Sequence, residues 1–443
     1  MFKKAPQKKA GQAMISSTVF FVFTSLVIIS GLVSPVVRDF RISSDAFLSK
    51  KSFFLAESGI EDVYYRLVND ITHLDSGTYD LHIGSDYATV QIDTGASPVL
   101  RTINSTGNAN RRKRSIFFET NFENSLIFQS GMQLGKGGLL FQGNNSWVTG
   151  NIVSMGPIIG TNANLITSGG AVSSGSTGLV HNVRFGTPDY NVYSHTISDS
   201  IISGDAYFTT LVNSTVNGHS YSNAPDPIAH PLPITDAMIE KMESVAEAGG
   251  VYKGPCPYNI NFGTTNLGPI KIPCSALNIS GSAVVNITGP VWVTGDISIS
   301  STASVIANNG TDAGTSMPLI ADNPLDRVAS SKITLSTSGA ITGMNSNSYV
   351  ILISQNNDAE NGGLQDAISF RNSGSTSKLL LYALHGHLNI QTTGSSNLSQ
   401  IIAGYKATLT SVNTLLSGKP TQTTLTFPVD LLDIWTFEQW KEI

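Results

Sequence analysis

The chain has 443 residues and a formal net charge of −5, so it lacks the basic excess typical of nucleic-acid-binding proteins, and we expect no nucleic-acid partner. Charged residues make up only 13% of the sequence, whereas about a quarter is usual in soluble domains. This low charge, with 41 glycines and many serine, threonine and asparagine residues, argues against a helical intracellular enzyme and favours a β-rich protein outside the cell.

An uncharged segment, residues 11–37, is long enough to cross a bilayer as one helix, which requires about 20 mostly apolar residues. Lysine-rich flanks stay in the cytoplasm, so we expect a cytoplasmic N-terminus, with the chain after Arg38 outside. The flanking lysines are Lys3, Lys4, Lys8 and Lys9. The residues expected to contact membrane lipid are Ala13, Phe20, Phe21, Phe23, Leu26, Val27, Ile28, Ile29, Leu32 and Val33.

Two other interpretations of this segment remain open. A secretory signal peptide has a shorter apolar core that ends at a small-residue cleavage site, and no clear Ala-x-Ala site ends this run. An ordinary single-pass anchor would have the same length and hydropathy.

Two segments carry a family resemblance: the short basic leader with Gly11 directly before the apolar run, and residues 52–67, SFFLAESGIEDVYYRL. The first resembles the N-terminus of type IV pilins and pseudopilins, and together they most resemble PilX-type minor pilins over about the first 70 residues. The resemblance implies cleavage by prepilin peptidase between Gly11 and Gln12. Residues 1–11 would then be a leader and residues 12–70 a membrane-spanning helix extended into a pilin-like helix. Other pilin-like subunits would be partners.

One position departs from the family pattern. Pilins usually have a glutamate at the fifth mature residue, where it pairs with a neighbouring subunit's N-terminus, and that position is Ser16 here. A charged side chain in lipid requires a partner, and serine brings no such charge. The departure favours a minor, tip or stand-alone component over a subunit of the pilus shaft.

An apolar stripe continues along the predicted helix to about residue 70. Its spacing places it on one helical face, and its members are Phe40, Phe47, Phe54, Ile60, Tyr64 and Leu67. The stripe fits packing against other pilin-like helices and equally fits packing on the protein's own globular part, so both alternatives remain open.

Residues 71–124 alternate between apolar and polar positions in short runs separated by turn residues, which predicts a small antiparallel sheet as in pilin-like folds. The basic cluster at residues 111–114, RRKR, is predicted to form a solvated hairpin turn. Binding of an anionic polymer is the alternative.

From residue 125 the sequence pattern changes to short apolar pairs separated by Gly, Ser, Thr and Asn, and this pattern is clearest over residues 277–299. This pattern predicts a parallel β-helix in two parts, residues 125–224 and 276–426, with a β-sandwich as the alternative. The residues expected to point inward are Val285, Ile287, Val291, Val293, Ile297 and Ile299, and those expected to point outward are Asn286, Trp292 and Ser298.

An insertion at residues 225–275 separates the two parts. It begins with a stiff proline-rich linker, continues as a helix over residues 234–248 with Thr235 or Asp236 as N-cap, and ends in a cysteine loop. Cys256 and Cys274 are the two cysteines of the chain, and outside the cytoplasm such a pair predicts a disulfide.

The aromatic C-terminal segment, residues 427–443, is predicted to cover an open end of the β-helix, because exposed strand edges promote aggregation.

A catalytic site is not indicated, because a hydrolase needs paired carboxylates and acidic residues here are sparse. The isolated acids are predicted to be turn residues: Asp199, Asp205, Asp296 and Asp366. His385 and His387 could form half a metal site, but a solvated pair is favoured because no acid or cysteine flanks them closely. No cofactor motif is present in the sequence.

These features predict a non-enzymatic, surface-displayed PilX-like minor pilin or pseudopilin that functions in pilus-like assembly or adhesion. Its expected partners are membrane lipid, other pilin-like subunits, prepilin peptidase and, as a candidate ligand, surface polysaccharide. The alternatives are a membrane-anchored carbohydrate-binding or carbohydrate-active β-helix protein, and a plain anchored surface protein that never assembles.

Overall fold

The computed structural model describes residues 10–68, 77–93, 100–123, 125–128, 130–142, 147–161, 165–167, 169–186, 188, 190–307, 314–344, 348–371, 377–391, 398–410, 415–417, 423–428, 431 and 434–442. The chain forms two compact units. Unit 1 comprises Met1–Glu123 with Asp433–Ile443, and unit 2 comprises Asn124–Leu432.

The helices are α1 (Ala10–Val68) and α2 (Asp236–Gly249). The strands before α2 are β1 (Gly77–Ile83), β2 (Asp86–Asp93), β3 (Leu100–Ala109), β4 (Arg112–Glu123), β5 (Ser125–Phe128), β6 (Met132–Phe141), β7 (Trp147–Thr149), β8 (Ile152–Ser154), β9 (Ile158–Ile159), β10 (Leu165–Thr167), β11 (Ala171–Ser173), β12 (Leu179–His181), β13 (Arg184–Phe185), β14 (Val192–Ser198), β15 (Ile201–Ile202), β16 (Ala206–Val212), β17 (Thr215–Val216) and β18 (Ser220–Ser222). Those after it are β19 (Tyr258–Ile260), β20 (Thr264–Leu267), β21 (Ile270–Ile272), β22 (Ala276–Ile279), β23 (Val284–Ile287), β24 (Val291–Val293), β25 (Asp296–Ser301), β26 (Ser304–Ala307), β27 (Met317–Ala321), β28 (Ile333–Thr337), β29 (Ile341–Gly343), β30 (Val350–Ser354), β31 (Asp366–Phe370), β32 (Ser377–Ile390), β33 (Leu398–Leu409), β34 (Leu415–Ser417), β35 (Thr423–Thr426) and β36 (Ile434–Glu442).

Unit 1 is a long helix with a five-stranded antiparallel sheet in the order β1-β2-β3-β4-β36. The C-terminal part of α1 packs on this sheet through Ala56, Ile60 and Val63, because a pleated strand presents alternate side chains to one face. Asn110 and Arg111 form the turn between β3 and β4 with positive φ angles of 45° and 68°. The basic cluster therefore begins in a hairpin turn, as predicted.

The position of the C-terminal strand differs from the prediction. β36 pairs with β4, from Ile434 beside Glu123 to Glu442 beside Ile116, and so belongs to the sheet of unit 1. The edge of β4 offers a long row of free backbone groups, and an added strand satisfies them along its whole length. Phe427 and Leu431, from the start of the same predicted cap, are buried in unit 2.

Unit 2 is a parallel β-helix, which confirms the predicted fold class and makes the β-sandwich alternative wrong. β23 pairs in parallel with β20 on one side and β26 on the other, in a sheet of four strands. A much larger parallel sheet forms the rest of the stack. The residues predicted to point inward are buried in one aliphatic core: Val285, Ile287, Val291, Val293, Ile297 and Ile299.

The coils do not stack in sequence order. β33, near the end of unit 2, pairs in parallel with β6, near its beginning. The late half of the stack, residues 251–417, therefore precedes the early half, residues 132–222, along the axis. A return segment, residues 223–250, connects the end of the early half to the start of the late half along the outside of the stack.

The return segment consists of the predicted linker and helix. Thr235 is the N-cap of α2, because its hydroxyl accepts a hydrogen bond from the amide of Met238, and Gly250 ends the helix at a φ of 140°. In the cysteine loop that follows, Cys256 and Cys274 form a disulfide with their Cα atoms 5.3 Å apart.

Candidate membrane anchor and surface sites

The first half of α1 is the candidate membrane anchor. Among the described residues, it is the one helix long and apolar enough to cross a membrane. The predicted lipid-contacting residues from Phe20 to Val33 are all exposed, as a lipid-facing helix requires. Gly11 and Gln12 lie at the start of the helix backbone, and their side chains and that of Ala13 are outside the described residues, as are Lys3, Lys4, Lys8 and Lys9.

The second half of α1 presents two different faces. Leu55, Ala56, Ile60 and Val63 are buried against the sheet of unit 1, whereas Phe40, Phe47 and Phe54 are 76%, 68% and 61% exposed. The phenylalanine stripe therefore does not pack on this protein's own sheet, and it is distinct from the face that includes Ile60. The side chain of Leu67 lies outside the described residues.

Glycines allow the segment that carries the pilin resemblance to lie close to the sheet. A Cβ added to Gly59 would be 2.2 Å from Ser105 Oγ, and one added to Gly107 would be 1.9 Å from the carbonyl oxygen of Ser52. Ser52 is fully buried and donates a hydrogen bond to the carbonyl of Arg112 across this contact. Replacing either glycine would push the helix from the sheet.

In unit 2, the outward positions of successive coils form one continuous row in register. From the late to the early half, this outer row comprises Lys271, Trp292, Ile320, Ile353, Tyr382, Ala403, Gln133, Val153, Val172, Tyr193, Tyr207 and Tyr221. The return segment follows the coils beside this row. Its carbonyls of Pro231 and Pro227 accept hydrogen bonds from Gln133 Nε2 and the amide of Gly175, both 2.9 Å long.

Helix α2 and Ile234 just before it lie on the outer row of the late half, with α2 against β21 and β24 and Ile234 against Tyr382. Trp292 faces outward as predicted, but it is only 8% exposed, and its indole nitrogen donates to the carbonyl oxygen of Asp322 at 3.0 Å. Lys271 Nζ lies 3.9 Å from the Trp292 ring centroid. Tyr382 is fully buried and hydrogen-bonds to both the amide and the carbonyl of Ile234. These contacts make a second apolar layer outside the coil.

A buried acid lies in that layer. Glu243 on α2 is close to Asp322, which is itself paired with the guanidinium of Arg327 through two hydrogen bonds of 2.8 and 2.7 Å. Burial, followed by the repulsion of Asp322, raises the pKa of Glu243 to about 9. Glu243 is therefore protonated at neutral pH.

The two histidines predicted as a solvated pair have separate acidic partners, on helix α2 and on other parts of the β-helix. His385 Nε2 is 3.1 Å from both carboxylate oxygens of Asp236, and its Nδ1 is 2.5 Å from Glu360 Oε2. His387 Nδ1 is 2.9 Å from Asp366 Oδ1. No group of three or more metal-binding side chains in the described part of the chain is arranged to hold a metal ion.

Asp366 lies in strand β31 and is not a turn residue as predicted. Burial raises its pKa, but hydrogen bonds from His387 and Asn389 outweigh this effect and leave the pKa below its ordinary value. Its partners were missed because they lie one coil away in space. The signal was a repeat of 21 residues, which separates Asp366 from His387 and His387 from Thr408.

Asp366, His387 and Thr408 form a hydrogen-bonded chain similar to that of nucleophilic enzymes, since His387 Nε2 lies 2.7 Å from Thr408 Oγ1. When Nδ1 donates its proton to Asp366, Nε2 is left to accept the hydroxyl proton of Thr408. The three side chains line a cleft of about 470 Å³, but Thr408 itself is only 3% exposed, so its hydroxyl is poorly placed to attack a substrate carbonyl. The chain fixes neighbouring coils in register.

Comparison with known proteins gives a structural likeness but no family. No family model matches the sequence, and no curated protein matches it. Among solved structures, the chain is similar to the competence-associated pilin ComZ from Thermus thermophilus. The TM-score is 0.38 at 12% sequence identity, with 89% of this chain and 98% of that chain covered. A likeness at this level does not identify a family.

Proposed function

We propose that this protein is a membrane-anchored, surface-displayed minor pilin or pseudopilin of the PilX-like kind. The observation that carries the proposal is the division of α1, a single helix of 59 residues, into an exposed apolar half and a half that packs on a small antiparallel sheet. Such a helix is about 90 Å long, roughly three times the hydrocarbon thickness of a bilayer. It is long enough both to cross a membrane and to hold the sheet outside it.

The exposed phenylalanine stripe supports assembly with other helices. Phe40, Phe47 and Phe54 lie beyond the uncharged membrane segment, where water would otherwise meet them. Burying such side chains against a partner gains about 25 cal/mol per Å² of apolar surface. Other pilin-like subunits fit this face, while Ser16 favours a minor or tip position over the shaft.

A non-enzymatic role is part of the proposal. The Asp366–His387–Thr408 chain is the arrangement most similar to catalytic machinery among the described residues, and its hydroxyl is buried. Surface display with the β-helix outside the membrane would make adhesion the function of unit 2.

The processing site gives the test. Mass spectrometry of the protein purified from membranes should find Gln12 as the first residue, and Gly11→Ala should leave the leader attached because prepilin peptidase requires a very small residue there. Gly31→Ala is the matched control. A Cβ at Gly31 would have no atom within 4 Å, so this substitution should leave the helix unchanged and the leader should still be removed. A mature protein that begins at Met1, or after residue 35, would contradict the proposal.

A further inference from the structure

The outer row changes abruptly in the early half of the β-helix. Tyr193, Tyr207 and Tyr221 form a tyrosine stack, with ring centroids 4.4 and 4.5 Å apart and rings nearly parallel. The next two positions of the same row are Val172 and Val153. Because these side chains are short, the row falls away beside Tyr193 and leaves a recess.

The recess is a cleft of about 550 Å³. Tyr207 covers one face of the Tyr193 ring, so the other face is turned toward Val172 and forms the end wall of the cleft. Three strand spacings, about 14 Å, separate this wall from Gln133, the row position beyond Val153. Pro227 and Ile228 of the return segment line the opposite side.

The lining is apolar but also offers hydrogen-bonding side chains. Asn151, Asn191 and His230 line the cleft together with Tyr190 and Tyr193. The Asn191 side chain donates to the Tyr193 hydroxyl at 3.3 Å, which holds the ring in place. Pockets of about 300–1,000 Å³ with apolar walls and a few polar groups are typical ligand sites.

The charge of the lining selects among ligands that contain a flat ring. None of the described lining residues is Asp, Glu, Lys or Arg. A nucleic acid strand stacks on aromatic rings too, but its phosphates require a basic groove, which this cleft lacks. A neutral sugar ring suits an aromatic wall with uncharged amides beside it. Its C–H face packs on an aromatic ring, and its hydroxyls bond to amides.

We propose that the cleft between the tyrosine stack and residues 227–230 binds a neutral sugar ring of a glycan. The bound ring continues the tyrosine stack over Val172, and its hydroxyls bond to Asn151 and Asn191. The inference concerns unit 2 alone, so it does not depend on membrane anchoring or on processing at Gly11. It gives the adhesion part of the proposed function a ligand class.

The test uses the full chain in a zwitterionic detergent without a sugar headgroup. Maltotriose, cellotriose and chitotriose are the neutral probes, and trigalacturonate and a thymidine oligonucleotide are the charged ones. Saturation-transfer NMR and calorimetry should detect binding of at least one neutral probe below about 10 mM and none of the charged probes. Failure of every neutral probe, or stronger binding of the oligonucleotide, would overturn the proposal.

Variants place the binding in the cleft. Val172→Tyr should add a fourth ring to the stack, fill the recess and weaken binding at least about tenfold. Val172→Thr keeps the recess open and should retain the affinity. Tyr221→Ala, at the far end of the same stack, is the control for loss of a tyrosine away from the cleft. If Val172→Tyr binds as wild type while its thermal unfolding is unchanged, the sugar site is not this cleft.

Discussion

The two halves of the β-helix have similar coils but different surroundings. In both halves an outward row of apolar side chains runs in register along the stack, yet Ile320 and Ile353 in the late half are fully buried and Tyr221 in the early half is 44% exposed. The coil itself therefore does not decide whether its outer row becomes core or surface.

The return segment accounts for the difference. Over the late half it is the helix α2, whose buried side chains Ile239, Met242 and Ala246 are available to pack on the outer row. Over the early half it is the proline-rich stretch of residues 225–233, which contacts the coils partly through backbone carbonyls. Carbonyls satisfy polar partners but cover little apolar surface, so a cleft remains beside Tyr193.

This comparison teaches that one β-helix can contain a doubly covered, stable half and an open half suited to binding. A helix adds an apolar face to the stack, whereas an extended proline-rich segment passes over the stack without covering it. Mutations of the inward-pointing residues of the coils, the inner row, should destabilise both halves alike. Mutations of the outer row should affect the stability of the two halves differently.

The largest loss of stability is expected from a change inside the coil, because both halves depend on the same kind of aliphatic interior. Ile287→Asp places an unpaired charge in a fully buried aliphatic row, and we expect a loss of several kcal/mol in the free energy of unfolding or failure to fold. Ser298→Asp, on the partly exposed side of β25, is the control and should cost less than about 0.5 kcal/mol. Equal thermal stability of the two variants would mean that the assigned faces are reversed.

The second effect separates the halves directly. Ile353→Ala removes a fully buried outer-row side chain of the late half, which should cost about 2–5 kcal/mol in urea unfolding. Val172→Ala removes a partly exposed side chain at the same row in the early half and should cost less than about 1 kcal/mol. Similar losses in the two variants would show that the return segment covers both halves equally.

The sequence allowed the inner row to be predicted, because a period of two within each strand requires only neighbouring residues. Local signals also allowed the disulfide to be predicted, and a helix over residues 234–248 where the structure has α2 at Asp236–Gly249. The winding order could not be predicted, because it depends on β33 meeting β6, more than 250 residues away in the chain. No local pattern encodes such a contact.

The candidate cleft was missed for a related reason. Its end wall depends on Tyr193, Tyr207 and Tyr221, which recur every 14 residues. That repeat was a usable signal for a stack, since one coil separates equivalent positions. The recess itself depends on how the return segment passes over Val172, and this position is set by contacts between distant residues such as Ser174 and Ile228. Likewise, Trp292 was correctly placed outward but its burial depends on α2.

A third effect concerns the buried, protonated acid Glu243 on α2, since no Asp or Glu is among the described residues that line the early-half cleft. Because Glu243 has a pKa of about 9 when folded and an ordinary value of 4.5, the folded protein retains a proton that the unfolded chain releases between these values. Stability contributed by that proton is fully present below pH 4.5 and is lost as the pH rises toward 9, by at most about 1.4 kcal/mol per pH unit. Glu243→Gln cannot ionise, so its urea-unfolding free energy should fall less between pH 6 and pH 8, and the variant should be the more stable protein at pH 8. Glu247→Gln, an exposed acid on the same helix, should retain the wild-type slope. If wild type and Glu243→Gln have parallel pH profiles, Glu243 is ionised in the folded state and α2 covers the late half less tightly than the comparison requires.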